Sequence, residues 1–304
     1  MANVSVKKIL SVLGDVRASA SGSVRVCLVG RGEALARLAA DLSAGAADAR
    51  DGVSDAVDAL EPADFPAEPG MAGRWRVVAF IWDQSIGAGD VLPAVGAVRA
   101  AGGHAIAVLP WAAGTAREPY ARWAREIGIE RGDVTWDGRP GGRESAAVAR
   151  IVAALGDDAL SLAQTLPAVR QQVVDRLIES TARQNGVIGA LVFMRGADMP
   201  AMTLNQVRMV LGIAAAHGED LGFDRALEIL SVVGAGFGLR AAGREAQHVA
   251  PGPQWAVKGA IGYAGTMALG KAAEAYFEAG APLTPERIRR ISGTVGRLGK
   301  GFAT

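Results

Sequence analysis

The chain has 304 residues, a net charge of +1 at pH 7 and a single cysteine, Cys27. This length is enough for two domains with separate cores, and the low net charge excludes a global field that attracts nucleic acid. One cysteine excludes a disulfide framework and is typical of a reducing compartment. Half of the residues are hydrophobic but only 5% are aromatic. We therefore expect cores of Ala, Val, Leu and Ile, with Cys27 as a small core residue.

Residues 1–23 form the first segment, and part of it has the pattern of an amphipathic helix. One helical face carries Val6, Ile9, Leu10 and Leu13. Such a face either packs on the protein's own core or lies on a membrane surface. The apolar stretch before Asp15 is only about six residues long, so no secretory signal is predicted.

Residues 24–160 alternate between strand and helix patterns. The predicted strands are 24–29, 76–82, 104–109 and 134–136. The predicted helices are 33–42, 91–101, 119–127 and 144–155. Alternation at this spacing is typical of a parallel sheet with helices on both faces. In the Ala-, Gly-, Asp- and Pro-rich stretch 44–73, only a short helix near Asp55 is predicted.

The first strand runs directly into two glycines, Gly30 and Gly32, and then into a helix pattern. That is the setting of a phosphate-binding loop, which reads G-x-x-x-x-G-K-[ST] and places its lysine on phosphate and its hydroxyl on magnesium. The residues after Gly30 read RGEALAR and supply neither group, and Glu33 would put negative charge at the helix N-terminus. We interpret Gly30 and Gly32 as the relic of such a loop. No cofactor and no catalytic residue are predicted.

The stretch RVVAFIWDQSIGAGDVLPAVGAVRAAGGHAIAVLP resembles the strand, helix and strand that precede the guanine-specificity loop of small bacterial GTPases. In that family the loop reads Asn-Lys-x-Asp, whereas this chain has Pro110-Trp111-Ala112-Ala113. The resemblance covers residues 76–155. It implies a degenerate P-loop GTPase-like domain that no longer recognises guanine.

Residues 165–280 contain no strand pattern and predict a helical bundle domain. Helices are predicted at 167–184, 203–217, 223–246 and 254–279. A capping box of Thr203 and Gln206 is expected to start the second of these, and Gly218 to end it in a left-handed conformation. The last helix repeats glycine at Gly259, Gly262 and Gly265. Because glycine costs about 1 kcal/mol in a helix relative to alanine, we expect these three to mark close approach between helices.

Blocks such as LNQVRM and WAVKGAIGYAGTMALG make residues 165–280 similar to a GTPase-associated helical domain of unknown function, number 697 in that series. The family implies a helical, often membrane-associated module that follows a GTPase or GTPase-like domain. It implies no established catalytic residue.

Polar side chains on the predicted helices are the candidate interaction residues. In the helical domain they are Asn205, Gln206, Arg208, Arg240 and Arg244. In the predicted basic C-terminal helix, residues 281–304, they are Arg287, Arg290 and Arg297. The first group either contacts a partner or forms an internal hydrogen-bond network. The basic segment either lies on an anionic membrane or packs on its own domain with its arginines extended to water.

The sequence therefore predicts an α/β domain followed by an all-α domain, acting without catalysis as an adaptor or scaffold at the periphery of a membrane. One alternative is a nucleotide hydrolase with an atypical loop. Another is an integral membrane protein with helical hairpins, although charged residues interrupt every candidate span: Arg195, Arg208, Arg240 and Lys258.

No metal site is predicted, because the three histidines are far apart. The expected partners are a protein of unknown identity and a membrane surface, not nucleic acid, and an oligomer is left open. The expected location is the cytoplasm or the inner face of the cell membrane.

Overall fold

The computed structural model describes residues 6–48, 54–111, 114–138, 145–191, 199–219, 221 and 253–279. The chain divides into two compact units, one formed by Ser21–Val173 and the other by Met1–Ala20 together with Val174–Thr304. The first unit contains a parallel sheet with helices, and the described part of the second is helical. The predicted order of an α/β part and then a helical part is confirmed. The sequence placed the boundary at residues 160–165, whereas the units divide after Val173.

The described residues form five strands and ten α-helices. The strands are β1 (Val26–Val29), β2 (Val57–Leu60), β3 (Val77–Ile81), β4 (His104–Pro110) and β5 (Val134–Asp137). The helices are α1 (Val6–Ala20), α2 (Gly32–Ser43), α3 (Pro69–Ala72), α4 (Ala88–Ala100), α5 (Glu118–Glu126), α6 (Ala146–Leu155), α7 (Ala159–Thr165), α8 (Pro167–Leu191), α9 (Met199–Ala216) and α10 (Gln254–Glu278). All five strands are parallel, in the order β2-β1-β3-β4-β5.

The sheet is buried on both faces, which explains why its central strands read as continuous apolar runs. β1 and β3 are buried at every position. Cys27 and Phe80 belong to the core that also contains Val95 of α4 and Ile127 at the end of α5. Burial, reinforced by the nearby Asp58 carboxylate, raises the pKa of the Cys27 thiol far above its ordinary value. Cys27 is a core residue, as predicted, and its thiol is protonated.

The prediction of a short helix near Asp55 was wrong, because the chain there forms the edge strand β2. This strand pairs in parallel with β1, from Val57 opposite Val26 to Leu60 opposite Val29. Arg25 adds an ion pair with Asp58 at 2.9 Å. Four residues, VDAL, are too few to show a period, and strand preference depends on the neighbouring strand. The ladder to β1 therefore decides the conformation of this stretch.

α1 packs on α9 within the helical unit. It buries Val12, Leu13 and Val16, whereas Leu10 is 46% exposed. The helix is confirmed, but its buried face includes Val12 and Val16 in place of Leu10. Of the two expectations for this segment, packing on the protein itself is the one that the structure shows.

α9 begins at Met199, so the predicted capping box of Thr203 and Gln206 was wrong. Thr203 lies inside the helix, and the Gln206 side chain donates a hydrogen bond to Thr266 of α10 instead. Residues 199–202 form the first turn of α9, because proline, here Pro200, is tolerated at the start of a helix. The predicted end is confirmed: Gly218 has φ +77°, and its N–H donates to the carbonyl of Ala215 at 2.9 Å.

Glycines bring α8 and α10 into close backbone contact. A Cβ at Gly262 would lie 2.6 Å from the carbonyl oxygen of Asn185, and a Cβ at Gly259 would lie 3.0 Å from that of Gly186. Both distances are well below the optimal separation of non-bonded atoms, so a larger residue would force the helices apart.

Within the described residues, no helix is both long enough and apolar enough to cross a bilayer.

Gly265 does not share this packing role, because a Cβ there would meet no atom within 4 Å. A helix turns about 100° per residue, so each step of three moves a position by about 60° around the axis. Gly265 has therefore rotated away from the face that holds Gly259 and Gly262. Gly270 returns to that face, where its Cβ would lie 2.6 Å from the Ile178 side chain. Predicting all three glycines as packing positions was wrong for Gly265.

Candidate functional site

The carboxyl ends of the five parallel strands form the edge at which open α/β sheets bind ligands. Ligands typically lie where the strand order reverses, which here is between β1 and β3. The residues that follow the strands at this edge are Gly30, Arg31, Glu61, Trp82, Asp83, Trp111 and Gly138. We call this edge, with the residues that contact it, the carboxyl edge.

Only two residues, Gly30 and Arg31, connect β1 to α2. Gly30 donates its N–H to the Leu60 carbonyl at 3.1 Å, and a Cβ on it would lie 3.0 Å from the Cβ of Ile81. Gly32 opens α2 at φ +62°, a left-handed conformation that favours glycine. Packing against β3 and backbone conformation therefore account for the two glycines of the predicted relic loop.

Arg31 links the ends of the strands on either side of β1. Its Nε lies 3.4 Å from Oε2 of Glu61, which follows β2. Its Nη1 donates to the carbonyl of Ser85, in the loop after β3, at 3.3 Å. The guanidinium of Arg31, beside the β1–α2 connection, is thus held by the protein's own groups.

Carboxylates dominate the charge at this end of the edge. Asp83 accepts hydrogen bonds from the hydroxyl and the backbone N–H of Ser85, and these bonds lower the pKa of its carboxyl group. Asp83 is therefore ionised at neutral pH. Glu33 lies in the first turn of α2, and Glu61 pairs with Arg31. Among the residues that the structure describes around the switch point, these three carboxylates outnumber the Arg31 guanidinium, and like charge disfavours phosphate there.

Aromatic side chains occupy the other half of the carboxyl edge. Tyr120 of α5 lies between Trp82 and Trp136, with ring centroids 4.6 Å and 6.1 Å away. The Cζ of Arg117 lies 4.3 Å from the ring centroid of Trp111 and 5.1 Å from that of Trp136. All five side chains are half-buried. We call Trp82, Trp111, Tyr120 and Trp136 the aromatic cluster.

Asp137, at the end of β5, is buried and held by hydrogen bonds. Its carboxylate accepts from the Ser145 hydroxyl at 3.0 Å and from the Ala147 N–H at 3.3 Å, and Arg37 pairs with it at 3.4 Å. Ser145 in turn caps α6 by accepting from the backbone N–H of Val148. Asp137 therefore fixes the start of α6.

Among the residues described, no group of three or more His, Cys, Asp or Glu side chains is arranged to hold a metal ion.

Two predicted interaction residues, Asn205 and Gln206, lie in an internal network of the helical unit. The hydroxyl of the fully buried Thr266 accepts from the amide of Asn185 at 3.0 Å and from that of Gln206 at 2.9 Å. Asn205 donates to the Asn185 side-chain oxygen at 3.0 Å. Of the two expectations for these residues, the internal network is the one that the described contacts show.

The remaining predicted residues fall into two groups. Arg208 is exposed on α9 and forms an ion pair with Asp15 of α1 at 2.7 Å. The other predicted arginines lie outside the described residues: Arg240, Arg244, Arg287, Arg290 and Arg297. So do the predicted helix 223–246 and the basic segment 281–304.

No family model matches the chain, and no match is found among curated proteins or among solved structures. The resemblance to GTPase domains and to the GTPase-associated helical domain therefore rests on the residues quoted for it.

Sequence reasoning missed the aromatic cluster, although a signal for it was present. Trp82 and Trp111 each follow directly after a strand, and Trp136 is the last residue but one of β5. Parallel strands end at the same edge of a sheet. In a chain poor in aromatic residues, three tryptophans at the ends of three neighbouring strands predict a cluster.

Proposed function

We propose that the protein is a non-catalytic adaptor or scaffold whose α/β unit is a degenerate P-loop GTPase-like domain. The observation that carries this proposal is the two-residue connection between β1 and α2. A phosphate-binding loop cradles phosphate with several successive backbone N–H groups. Gly30 and Arg31 are too few to form such a cradle, and the N–H of Gly30 is already bonded to the Leu60 carbonyl.

The charges beside this connection support the same proposal. Phosphate sites supply cations and backbone dipoles, whereas Glu33, Glu61 and Asp83 bring carboxylates. Arg31 supplies a counter-charge: its guanidinium forms an ion pair with Glu61 and donates a hydrogen bond to the Ser85 carbonyl. A nucleotide would have to break these two contacts and approach the carboxylates.

The helical unit supports a scaffolding role. Its buried polar groups Asn185, Gln206 and Thr266 bond to one another, and glycines hold α8 against α10. These interactions hold the helices in fixed positions, and a scaffold needs such a fixed surface to bind a partner. We propose that its partners are a protein of unknown identity and a membrane surface in the cytoplasm, the latter through the basic residues Arg287, Arg290 and Arg297.

The alternative of an atypical hydrolase is tested by phosphate release from magnesium GTP and magnesium ATP. We expect the full chain to release phosphate at the rate of buffer alone, because the β1–α2 connection offers neither a phosphate cradle nor a phosphate lysine. The variants Arg31→Ala and Asp83→Asn distinguish intrinsic activity from a contaminating hydrolase, because only intrinsic activity should change with these substitutions. Hydrolysis that is present in the wild type and lost in either variant would contradict the proposal.

A further inference from the structure

The aromatic cluster concentrates a residue class that is scarce in this chain. The sequence contains six tryptophans and three tyrosines, and three tryptophans and one tyrosine lie together at the ends of β3, β4 and β5. Trp75 and Trp123 of the same unit are only 1% and 5% exposed and belong to the core. Trp82, Tyr120 and Trp136 pack against this core, but all four residues of the cluster are only half-buried. Part of their surface therefore remains accessible at the edge where such sheets bind ligands.

The cluster is also geometrically ordered. Trp82 and Tyr120 meet edge to face at 85°, and Tyr120 and Trp136 at 88°, an arrangement that aromatic pairs favour. Tyr120 is fixed at the start of α5, and Trp82 and Trp136 are fixed by the sheet. The rings are therefore held in place by regular structure.

A cation already occupies this cluster. The guanidinium carbon of Arg117 lies over the rings of both Trp111 and Trp136, at 4.3 Å and 5.1 Å. Both distances are within the roughly 6 Å over which a ring face attracts a positive charge. Arg117 is the last residue of the 3-10 turn that precedes α5.

We propose that the aromatic cluster is a binding site for an organic cation, with Arg117 as its intramolecular occupant and an alkylammonium group as its external ligand. Ring faces attract positive charge without supplying hydrogen-bond acceptors. Alkylated ammonium groups suit such a site because they have little hydrogen bonding to water to lose, and aromatic cages are a known way to recognise them. The inference concerns the α/β unit alone and does not depend on the proposed function.

The test is a titration of the full chain with tetramethylammonium chloride, with sodium chloride at equal ionic strength as the reference. The readout is the indole N–H signals of Trp111 and Trp136 in NMR spectra, assigned with the variants Trp111→Phe and Trp136→Phe. In Arg117→Ala, which vacates the site, we expect saturable shifts with an affinity about fivefold higher than in the wild type. The double variant Arg117→Ala/Trp136→Leu should lose these shifts.

Absence of saturable shifts in a folded Arg117→Ala protein would overturn the proposal, as would shifts that persist in the double variant. Circular dichroism and the melting temperature establish that each variant is folded. If Arg117→Ala does not fold, the wild type and Trp111→Leu decide: the wild type must bind saturably and Trp111→Leu must not.

Alkylammonium groups occur both in free solutes and on trimethylated lysine side chains. Titration with a short peptide that carries trimethyllysine, with the unmodified peptide as control, distinguishes these sources. Tighter binding of the trimethylated peptide than of tetramethylammonium assigns the site to a modified protein partner. Equal or weaker binding of the peptide assigns it to a small solute.

Discussion

Replacing Thr266 by Val should lower the free energy of unfolding of the helical unit by about 2–6 kcal/mol. Valine keeps the shape of the side chain but removes the oxygen that accepts from Asn185 and Gln206. Thr266 and Asn185 are fully buried and Gln206 is only 4% exposed, so water cannot supply the missing acceptor. Each buried donor that loses its acceptor costs about 1–3 kcal/mol.

Thr266→Ser is the matched control, because it keeps the hydroxyl and loses only one methyl group, worth about 1 kcal/mol. Hydrogen exchange of the backbone amides of α8, α9 and α10 reports on the helical unit separately from the α/β unit. Protection in Thr266→Val should fall well below protection in Thr266→Ser. Equal protection in the two variants would show that the network does not stabilise the unit.

Gly262→Leu should destabilise the same unit by about 3 kcal/mol, the upper end of the usual range for overpacking. The new Cβ would lie 2.6 Å from the backbone carbonyl oxygen of Asn185 and 2.9 Å from the side chain of Met202. Because the first of these atoms is backbone, it cannot rotate away, and α8 and α10 must separate. Urea unfolding followed by circular dichroism should show a lower midpoint with an unchanged helical spectrum before the transition.

Gly265→Ala is the control for this substitution and should have the opposite sign. Its Cβ meets no atom within 4 Å, and alanine is favoured over glycine in a helix by about 1 kcal/mol. We expect a higher unfolding midpoint for Gly265→Ala. A wild-type midpoint in Gly262→Leu would mean that the two helices are not packed through that face.

The sequence was sufficient for elements whose own side chains carry the pattern. β1, β3 and β4 are buried on both faces, so each reads as an apolar run bounded by polar residues or glycine. The sequence was insufficient where a contact with a residue far along the chain determines how an element packs. An amphipathic pattern shows that α1 has an apolar face, but not that α9 covers it. For that reason the grouping of Met1–Ala20 with Val174–Thr304 was not predicted.

In the candidate site, too, some features can be predicted from local sequence and others depend on contacts between distant residues. The missing phosphate lysine can be read directly from the residues after Gly30, since it is a matter of residue identity and spacing. The role of Gln206 depends on Thr266, which lies on another helix, and local sequence contains no information on that pairing. The position of Arg117 over two indole rings likewise depends on how α5 packs against the strand ends.

Calorimetric titration of the full chain with GTP in the presence of magnesium tests the central claim most directly. The phosphate lysine and the guanine-binding aspartate are both absent, and each such charged contact is worth about 1.5–3 kcal/mol. Their joint loss weakens a micromolar dissociation constant to the range of about 0.1–10 mM. We therefore expect no saturable heat at micromolar GTP. Micromolar, magnesium-dependent binding of GTP would contradict the proposal that the α/β unit is a degenerate, non-catalytic domain.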